Sequence, residues 1–302
     1  IFKYMIYVCC QPATMYYAWQ IEVMMTNFVR FGIEPYNCYV VVSDDDIVPF
    51  QMLRDKFKFN LAVYKDTRKD KSYVPSIYFH LLKKFLSDYN PKTDIFIHDA
   101  DIVLTRPLEL PKSRSWLVAD TRSYLNYDYV SQFGLGQYNA MCEIVKLDPI
   151  IPRLMNSNTG GAQYIINNAD YAFFDKVERD SVKIYELLRN GGTKIQSFTA
   201  GMWSFMYNAW KVGHETLITD KLAFCDAVTP IQAIERVPIM HNAGVMSKGR
   251  DFKKTDFIDK LPYGLELDID KTKASYYYYQ QIQNVDSILK RNTPILSQAR
   301  EY

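Results

Sequence analysis

The 302-residue sequence has almost no net charge and very few histidines. Its 36 lysines and arginines nearly balance 34 aspartates and glutamates, and only four histidines occur. The chain therefore lacks the basic stripe or polybasic tail that is typical of strong nucleic-acid binders. With 48% hydrophobic and 23% charged residues, the composition is that of a folded globular protein. It excludes a disordered chain and a collagen-like repeat.

Cysteines are few and follow no pattern. An odd number without CxxC spacing predicts reduced, buried thiols rather than a disulfide framework. The sequence has no Asn-x-Ser/Thr acceptor site, and no apolar run approaches the roughly 20 residues that span a bilayer. Together these absences favour a cytoplasmic protein, while a leader or anchor before Ile1 stays an open alternative. The five cysteines are Cys9, Cys10, Cys38, Cys142 and Cys225.

The first hundred residues alternate between strand-like and helix-like segments. Nearly continuous apolar runs predict buried parallel strands, and residues with helical spacing separate them. The order βαβαβαβ predicts an α/β fold with an open, mostly parallel sheet flanked by helices. No internal repeat or linker interrupts the chain, so we expect one domain over residues 1–302. The predicted strands are residues 3–10, 39–42, 61–64 and 95–98.

Acidic residues follow two of these predicted strands. Asp44, Asp45 and Asp46 come directly after the second strand, and Asp99-Ala100-Asp101 follows the fourth. Ligands of such sheets bind beyond the carboxyl ends of the strands. Residues i and i+2 of a strand face the same way, so Asp99 and Asp101 are expected to converge on one point. Paired carboxylates suit Mg²⁺ or Mn²⁺, although a solvated turn explains a bare D-x-D equally simply.

With these features the chain resembles the GT-A glycosyltransferases, over about residues 1–250. Asp44, Asp45 and Asp46 fall where that family contacts the nucleoside, and Ser76, before the third predicted helix, is a further donor contact or simply an N-cap. Asp99-Ala100-Asp101 matches the metal-binding D-x-D of the family. The resemblance thus implies a Rossmann-like GT-A sheet, a nucleotide-sugar donor with UDP favoured, and Mn²⁺ or Mg²⁺ as cofactor.

Two later segments extend the resemblance. Asn158-Thr159-Gly160-Gly161 is similar to the segment that forms the floor of the donor-sugar pocket, so Asn158, Gly160 and Gly161 are predicted donor contacts. His241-Asn242-Ala243-Gly244 with Lys248 resembles a segment of retaining members, in which the histidine completes the metal site and the lysine meets the diphosphate. Lys248 lies one residue further from His241 than that pattern expects. The resemblance divides the domain into a nucleotide-binding half (1–115), a donor-sugar and acceptor half (116–250) and a C-terminal extension (251–302).

The catalytic acid and the acceptor are not specified by these motifs. An inverting enzyme needs a carboxylate that deprotonates the acceptor hydroxyl, and the candidates are Asp120, Asp128, Glu215 and Asp220. We choose Asp220 beside Asp99 and Asp101, while the stereochemistry stays open with retention slightly favoured. The acceptor class is equally open between a glycan, a protein hydroxyl and a modified nucleic-acid base, and the sequence specifies no oligomeric state.

Two other classes of protein remain as alternatives. A nucleotidyltransferase also uses paired acids on an α/β sheet, but the segment after the first strand, residues 9–14, has neither the glycine nor the basic residue that its loop requires. A non-catalytic sugar-binding or nucleic-acid-binding module is the third interpretation. Of the other histidines, His98 is expected to pack in the core, and His80 to lie solvated beside Lys83 and Lys84.

Overall fold

The computed structural model describes residues 5–245 and 249–289. Lys248 therefore lies outside the described residues. The strands are β1 Ile6–Gln11, β2 Cys38–Ser43, β3 Asn60–Tyr64, β4 Ile95–Ile97, β5 Ile102–Leu104, β6 Trp116–Asp120, β7 Gly160–Ile166, β8 Thr216–Ile218, β9 Phe224–Asp226 and β10 Ile239–His241. The α-helices are α1 Met15–Arg30, α2 Val48–Phe57, α3 Ser76–Tyr89, α4 Arg122–Leu125, α5 Tyr127–Ser131, α6 Leu135–Val145, α7 Ile150–Leu154, α8 Tyr171–Asn190, α9 Ala200–Lys211 and α10 Ala274–Leu289.

Seven strands form a mostly parallel sheet in the order β3-β2-β1-β4-β7-β6-β8. Strand β1 pairs with β4, and β6 with β8, in parallel, whereas β7 is antiparallel to both β4 and β6. Helices flank this sheet, so the predicted α/β architecture is confirmed. A second sheet has the order β5-β10-β9.

The Cα atoms cluster into two compact units. Unit 1 comprises Ile1–Cys10, Tyr64–His98 and Lys112–Leu222, and unit 2 comprises Gln11–Val63, Asp99–Pro111 and Ala223–Tyr302. The predicted division at residues 115 and 250 stays a prediction.

Unit 1 has its core around helix α8, which packs against α3 and α9. The carboxylate of Asp170 caps this helix by accepting a hydrogen bond from the amide of Phe173, at 2.9 Å. Buried residues then recur every three or four positions along one face of α8, from Phe174 to Leu188, as an amphipathic helix requires. The ring centroid of Phe174 lies 6.0 Å from that of Phe205 on α9, so aromatic packing joins the two helices.

Unit 2 has an aromatic core between α1 and the chain that precedes α10. Trp19 on α1 is fully buried and packs edge-on against Phe252 and Phe257. Tyr278 on α10 packs against Phe252, with ring centroids 5.8 Å apart. These aromatic side chains therefore pack the core of unit 2. The second sheet contacts α1 through β5 and α10 through β9.

Candidate metal centre

The pairing of β5 with β10 brings two distant parts of the sequence together in unit 2. The strands are antiparallel, and His241 lies opposite Ile102. Just beyond this pair, the amide of Asn242 donates a hydrogen bond to the carbonyl oxygen of Asp101, at 2.9 Å. Asp99 and Asp101 precede β5 in an irregular stretch and turn. The register of the sheet thus places His241 beside both carboxylates.

The three side chains form a compact cluster of possible metal ligands. Nε2 of His241 lies 3.4 Å from Oδ2 of Asp99 and 3.2 Å from Oδ1 of Asp101. One ligand atom from each residue lies within 4.8 Å of the others. The Asp101 and His241 side chains are 4% and 10% exposed, whereas that of Asp99 is 46% exposed. The cluster is therefore buried on one side and open at Asp99.

A fourth charged group, Lys254, completes the cluster. Its ammonium contacts Oδ2 of Asp101, the oxygen that does not face His241. Burial raises the pKa of Asp101, but the charges of Lys254 and His241 outweigh burial and hold that pKa below its ordinary value. Burial lowers the pKa of His241, but Asp101 outweighs it and leaves the pKa raised.

The donor set fits a divalent cation. Two carboxylates and one imidazole combine the oxygen ligands that Mg²⁺ and Mn²⁺ prefer with a nitrogen ligand used by transition metals. The ammonium of Lys254 already contacts the Asp101 carboxylate, at a place where a metal cation would also be attracted. Because three ligands leave several coordination positions of an octahedral ion open, oxygens of a second molecule can share it.

The local geometry differs from the one that the sequence pattern predicts. Strand β4 ends at Ile97, and Ala100 and Asp101 form a turn before β5 begins at Ile102. Alternation along a strand therefore does not orient the two acids. They converge because the turn and the β5–β10 register direct both toward His241.

A cavity of about 600 Å³ opens in the same unit. It lies at the first turn of α1, after the end of β2, and along the segment that follows Lys254. Hydroxyls, two carboxylates and two apolar side chains share its surface, a mixture suited to a ring bearing hydroxyl groups. Its lining residues are Thr14, Met15, Tyr16, Asp46, Thr255, Ile258 and Asp259.

The three acids after β2 have different environments. Asp46 lines the cavity, and its amide donates to the carbonyl oxygen of Ala13, at 3.0 Å. Asp45 instead accepts a hydrogen bond from the hydroxyl of Ser43, at 2.6 Å. Asp44 is exposed. The nucleoside contacts predicted at Asp44 and Asp45 stay predictions, and Asp46 is the acid with a cavity in front of it.

The remaining predicted residues lie in unit 1. Ser76 is the first residue of α3 rather than its N-cap, which is Pro75, and its buried hydroxyl accepts a hydrogen bond from Arg68, at 2.8 Å. The carbonyl oxygen of Asn158 accepts from the hydroxyl of Thr216. Asp220 is exposed at the start of a short 3-10 helix. Their proposed roles with donor and acceptor stay predictions.

Close contacts within unit 1 surround both glycines of the pair. A Cβ on Gly160 would lie 2.4 Å from the carbonyl oxygen of Ala119, and one on Gly161 would lie 2.3 Å from Cε of Met202. Glycine is therefore required at Gly160, where the contact is with backbone, whereas a methyl group at Gly161 would only displace the end of the Met202 side chain. A contact of either residue with a sugar stays a prediction.

Two further histidines belong to the core of unit 1. His98 is buried and stacks on Phe96, with ring centroids 5.1 Å apart, as predicted. The prediction of a solvated His80 is wrong, because His80 is buried and its Nε2 accepts a hydrogen bond from the amide of Thr67. Its Nδ1 must then carry the proton and donate to Glu178, at 3.2 Å. The helical pattern of α3 places His80 on the face that α8 covers.

Sequence reasoning missed Lys254 and the residues that follow it. Thr255, Ile258 and Asp259 line the cavity, yet their segment carries no motif and belongs to the predicted C-terminal extension. The one available signal is the residue type of Phe252 and Phe257, since phenylalanine is commonly buried. No pattern in the sequence indicated that the ammonium of Lys254 would reach Asp101.

Comparison with known proteins supports the fold. No protein-family model and no curated protein sequence matches the chain. Among 174 solved chains with matching structures is the apo structure of WbbM, a bifunctional glycosyltransferase. The match covers 94% of this chain and 52% of that one, with a TM-score of 0.51 and 10% sequence identity. The chain thus spans about half the length of WbbM and shares its fold there.

None of the helices in the described ranges has the length and apolar character needed to cross a membrane.

Proposed function

We propose that this chain is a metal-dependent glycosyltransferase. It transfers a sugar from a nucleoside diphosphate sugar, with UDP-sugars the favoured class, to an acceptor hydroxyl. The observation that carries the proposal is the cluster of Asp99, Asp101 and His241, in a chain that shares its fold with a solved glycosyltransferase. A fold alone does not specify chemistry, so the proposal depends on the cluster.

The chemistry of sugar transfer explains why such a cluster is needed. The bond from the anomeric carbon to the diphosphate oxygen breaks, and negative charge develops on the departing diphosphate. A divalent cation, Mn²⁺ or Mg²⁺, would supply positive charge at that place. Asp99, Asp101 and His241 would hold the ion, and Lys254 provides a further cation beside them. Lys248 stays a predicted diphosphate ligand.

The nucleoside of the donor is assigned to the cavity in unit 2. Carboxylates such as those of Asp46 and Asp259 accept hydrogen bonds from ribose hydroxyls or from a base N–H. The ring of Tyr16 offers an aromatic surface beside them. Lys254 and Thr255 are consecutive, so the residue that contacts Asp101 directly precedes one that lines the cavity. Unit 2 thus carries both a nucleoside-sized cavity and a cation cluster.

Donor hydrolysis tests the proposal directly. Wild-type protein and the Asp101→Asn variant are incubated with a panel of nucleotide sugars and Mn²⁺, with and without chelator. We expect slow release of the nucleoside diphosphate that requires Mn²⁺ and falls by at least about tenfold in the variant. Asp55→Asn, a change at an exposed acid paired with Arg54, is the matched control.

Other outcomes separate the alternative classes. Metal-independent hydrolysis that is unaffected by Asp101→Asn would overturn the metal-site assignment. Release of pyrophosphate from a nucleoside triphosphate and a sugar phosphate would instead identify a nucleotidyltransferase. Thermal shift with the same panel measures binding independently of turnover, because a ligand that binds only the folded state raises the melting temperature. No shift with any nucleotide would favour a non-catalytic module.

A further inference from the structure

Lys254 lies on the carboxylate that a bound cation needs. Asp101 directs one oxygen toward His241 and the other toward the ammonium of Lys254. The side chain of Asp101 is 4% exposed and that of Lys254 is 27% exposed. Charge attraction between partly buried groups is stronger than between groups in water. The ion pair is therefore a competitor for any divalent cation that approaches Asp101.

The backbone that carries Lys254 is firmly held. Phe252 and Phe257 flank it, both are buried, and their rings stack with centroids 5.3 Å apart. The indole nitrogen of Trp19 donates a hydrogen bond to the carbonyl oxygen of Phe257, at 3.2 Å. Since the anchors on either side fix the main chain, only the Lys254 side chain has to move when Asp101 exchanges partners.

The ammonium of Lys254 also lies near the cavity, because it interacts electrostatically with Tyr16, one of the lining residues. Thr255, the next residue, lines the cavity with Tyr16 and Asp46. A molecule that fills this cavity and carries phosphate groups would offer Lys254 anionic oxygens, which a flexible ammonium binds readily. The same anion would compensate the positive charge that a divalent cation adds to the cluster.

We propose that Lys254 holds Asp101 while the site lacks a cation, and that the diphosphate of the donor draws Lys254 away, so that cation and diphosphate bind cooperatively. This inference rests on the proposed function, because it assigns a regulatory role to a residue of that site. Where the competent state is only partly populated, the apparent dissociation constant rises in inverse proportion to its population. Cooperativity between two ligands is reciprocal, so each tightens the other by the same factor.

Mn²⁺ binding without nucleotide tests the competition. The signal of free Mn²⁺ in electron paramagnetic resonance gives the dissociation constant for wild type, Lys254→Met, Lys254→Arg and Asp101→Asn. Lys254→Met keeps the apolar stem and removes the charge. We expect this variant to bind Mn²⁺ about tenfold more tightly than wild type. A tenfold change corresponds to an ammonium that occupies Asp101 about nine-tenths of the time in the wild type. Lys254→Arg keeps the charge and should bind Mn²⁺ as weakly as wild type. Lys260→Met is the control, because it removes an exposed ammonium that lies over the ring of Phe257, at 5.1 Å.

A second measurement uses UDP as the probe. UDP should lower the dissociation constant of the wild type for Mn²⁺. The factor by which UDP lowers it should be about tenfold smaller in Lys254→Met, since the variant has no competing ammonium to remove. Circular dichroism checks that each variant is folded before its titration.

The outcomes distinguish this inference from the proposed function. If Asp101→Asn abolishes Mn²⁺ binding but Lys254→Met binds no more tightly than wild type, the competition is overturned and the metal centre stands. If Asp101→Asn binds Mn²⁺ like wild type, the metal centre itself is wrong. An equal effect of UDP in wild type and Lys254→Met would also overturn the inference.

Discussion

Nε2 of His241 lies 3.2 Å from Oδ1 of Asp101, although the two residues are far apart in the sequence. The antiparallel register of β5 and β10 sets this distance, because His241 pairs with Ile102 and the amide of Asn242 bonds to the Asp101 carbonyl. Backbone hydrogen bonds thus fix the main chain of His241, and its imidazole faces both carboxylates. A site held this way loses little conformational entropy when a cation binds.

Replacing His241 should weaken cation binding without unfolding the chain. We expect His241→Ala to raise the dissociation constant for Mn²⁺ by at least about tenfold, since even groups outside the ligand shell contribute that much to metal affinity. Electron paramagnetic resonance of free Mn²⁺ measures it. His214→Gln is the control, because His214 stacks on Trp116 in unit 1. An unchanged dissociation constant in His241→Ala would exclude the histidine as a ligand.

The cavity residue Asp46 should matter for nucleoside binding. Removing its charge in Asp46→Asn should weaken UDP binding by about tenfold, the loss expected for one charge-assisted hydrogen bond. Isothermal titration calorimetry at saturating Mn²⁺ measures the change. Asp55→Asn, also in unit 2 and exposed, should bind UDP as wild type does. Equal affinities of the two variants for UDP would contradict the assignment of the nucleoside to this cavity.

Gly160 should not tolerate a methyl group. In Gly160→Ala the new Cβ would meet the carbonyl oxygen of Ala119 and the side chain of Val118, so we expect the free energy of unfolding to fall by about 2–3 kcal/mol. Gly136, exposed on α6 with nothing near its Cβ position, is the control. Gly136→Ala should raise the stability by about 0.5–1 kcal/mol. Urea unfolding distinguishes the two, and a neutral Gly160→Ala would contradict the packing described.

The buried ion network of unit 1 should make stability depend on pH. Burial raises the pKa of Glu178, but hydrogen bonds from His80 and Lys83 outweigh it and lower that pKa below the ordinary value of 4.5. A lowered pKa means that the unfolded chain binds the proton more tightly. The stabilising contribution is therefore complete above pH 4.5 and is lost as the pH falls toward the folded-state pKa.

The Glu178→Gln variant checks this sign. We expect it to be about 2 kcal/mol less stable than wild type at pH 7, since Lys83 keeps Asp175 as a partner. That difference should shrink as the pH falls below 4.5. Thermal unfolding between about pH 3 and 7 measures it. Glu186→Gln, at an exposed position of the same helix, should follow the wild-type curve, and a constant gap between wild type and Glu178→Gln would contradict the assignment.

The sequence predicted the first half of the chain well because its strands are continuous apolar runs. The pattern of residues 39–42 appears as β2, and that of residues 61–64 as β3, each within one residue at both ends. In the second half, the apolar run at residues 162–167 predicts a strand that the structure has as β7, but the two leading glycines and the antiparallel direction of β7 leave no signal in the pattern. Short strands such as β5 and β9 are three residues long, too short for alternation to distinguish them from loops.

Composition and local pattern were enough to determine an α/β chain of near-neutral charge, with acids after buried strands and a histidine after residues 237–240. Only the tertiary structure decided which of these groups meet. It joined His241 to Asp99 and Asp101, put Asp46 rather than its neighbours on the cavity, buried His80, and brought Lys254 to Asp101. The physical reason is that hydrophobic periodicity reports burial within a segment, whereas contacts between segments depend on strand register and on the anchoring of loops. Among the few histidines, His241 acquires its proposed role from that register, which places it beside two carboxylates.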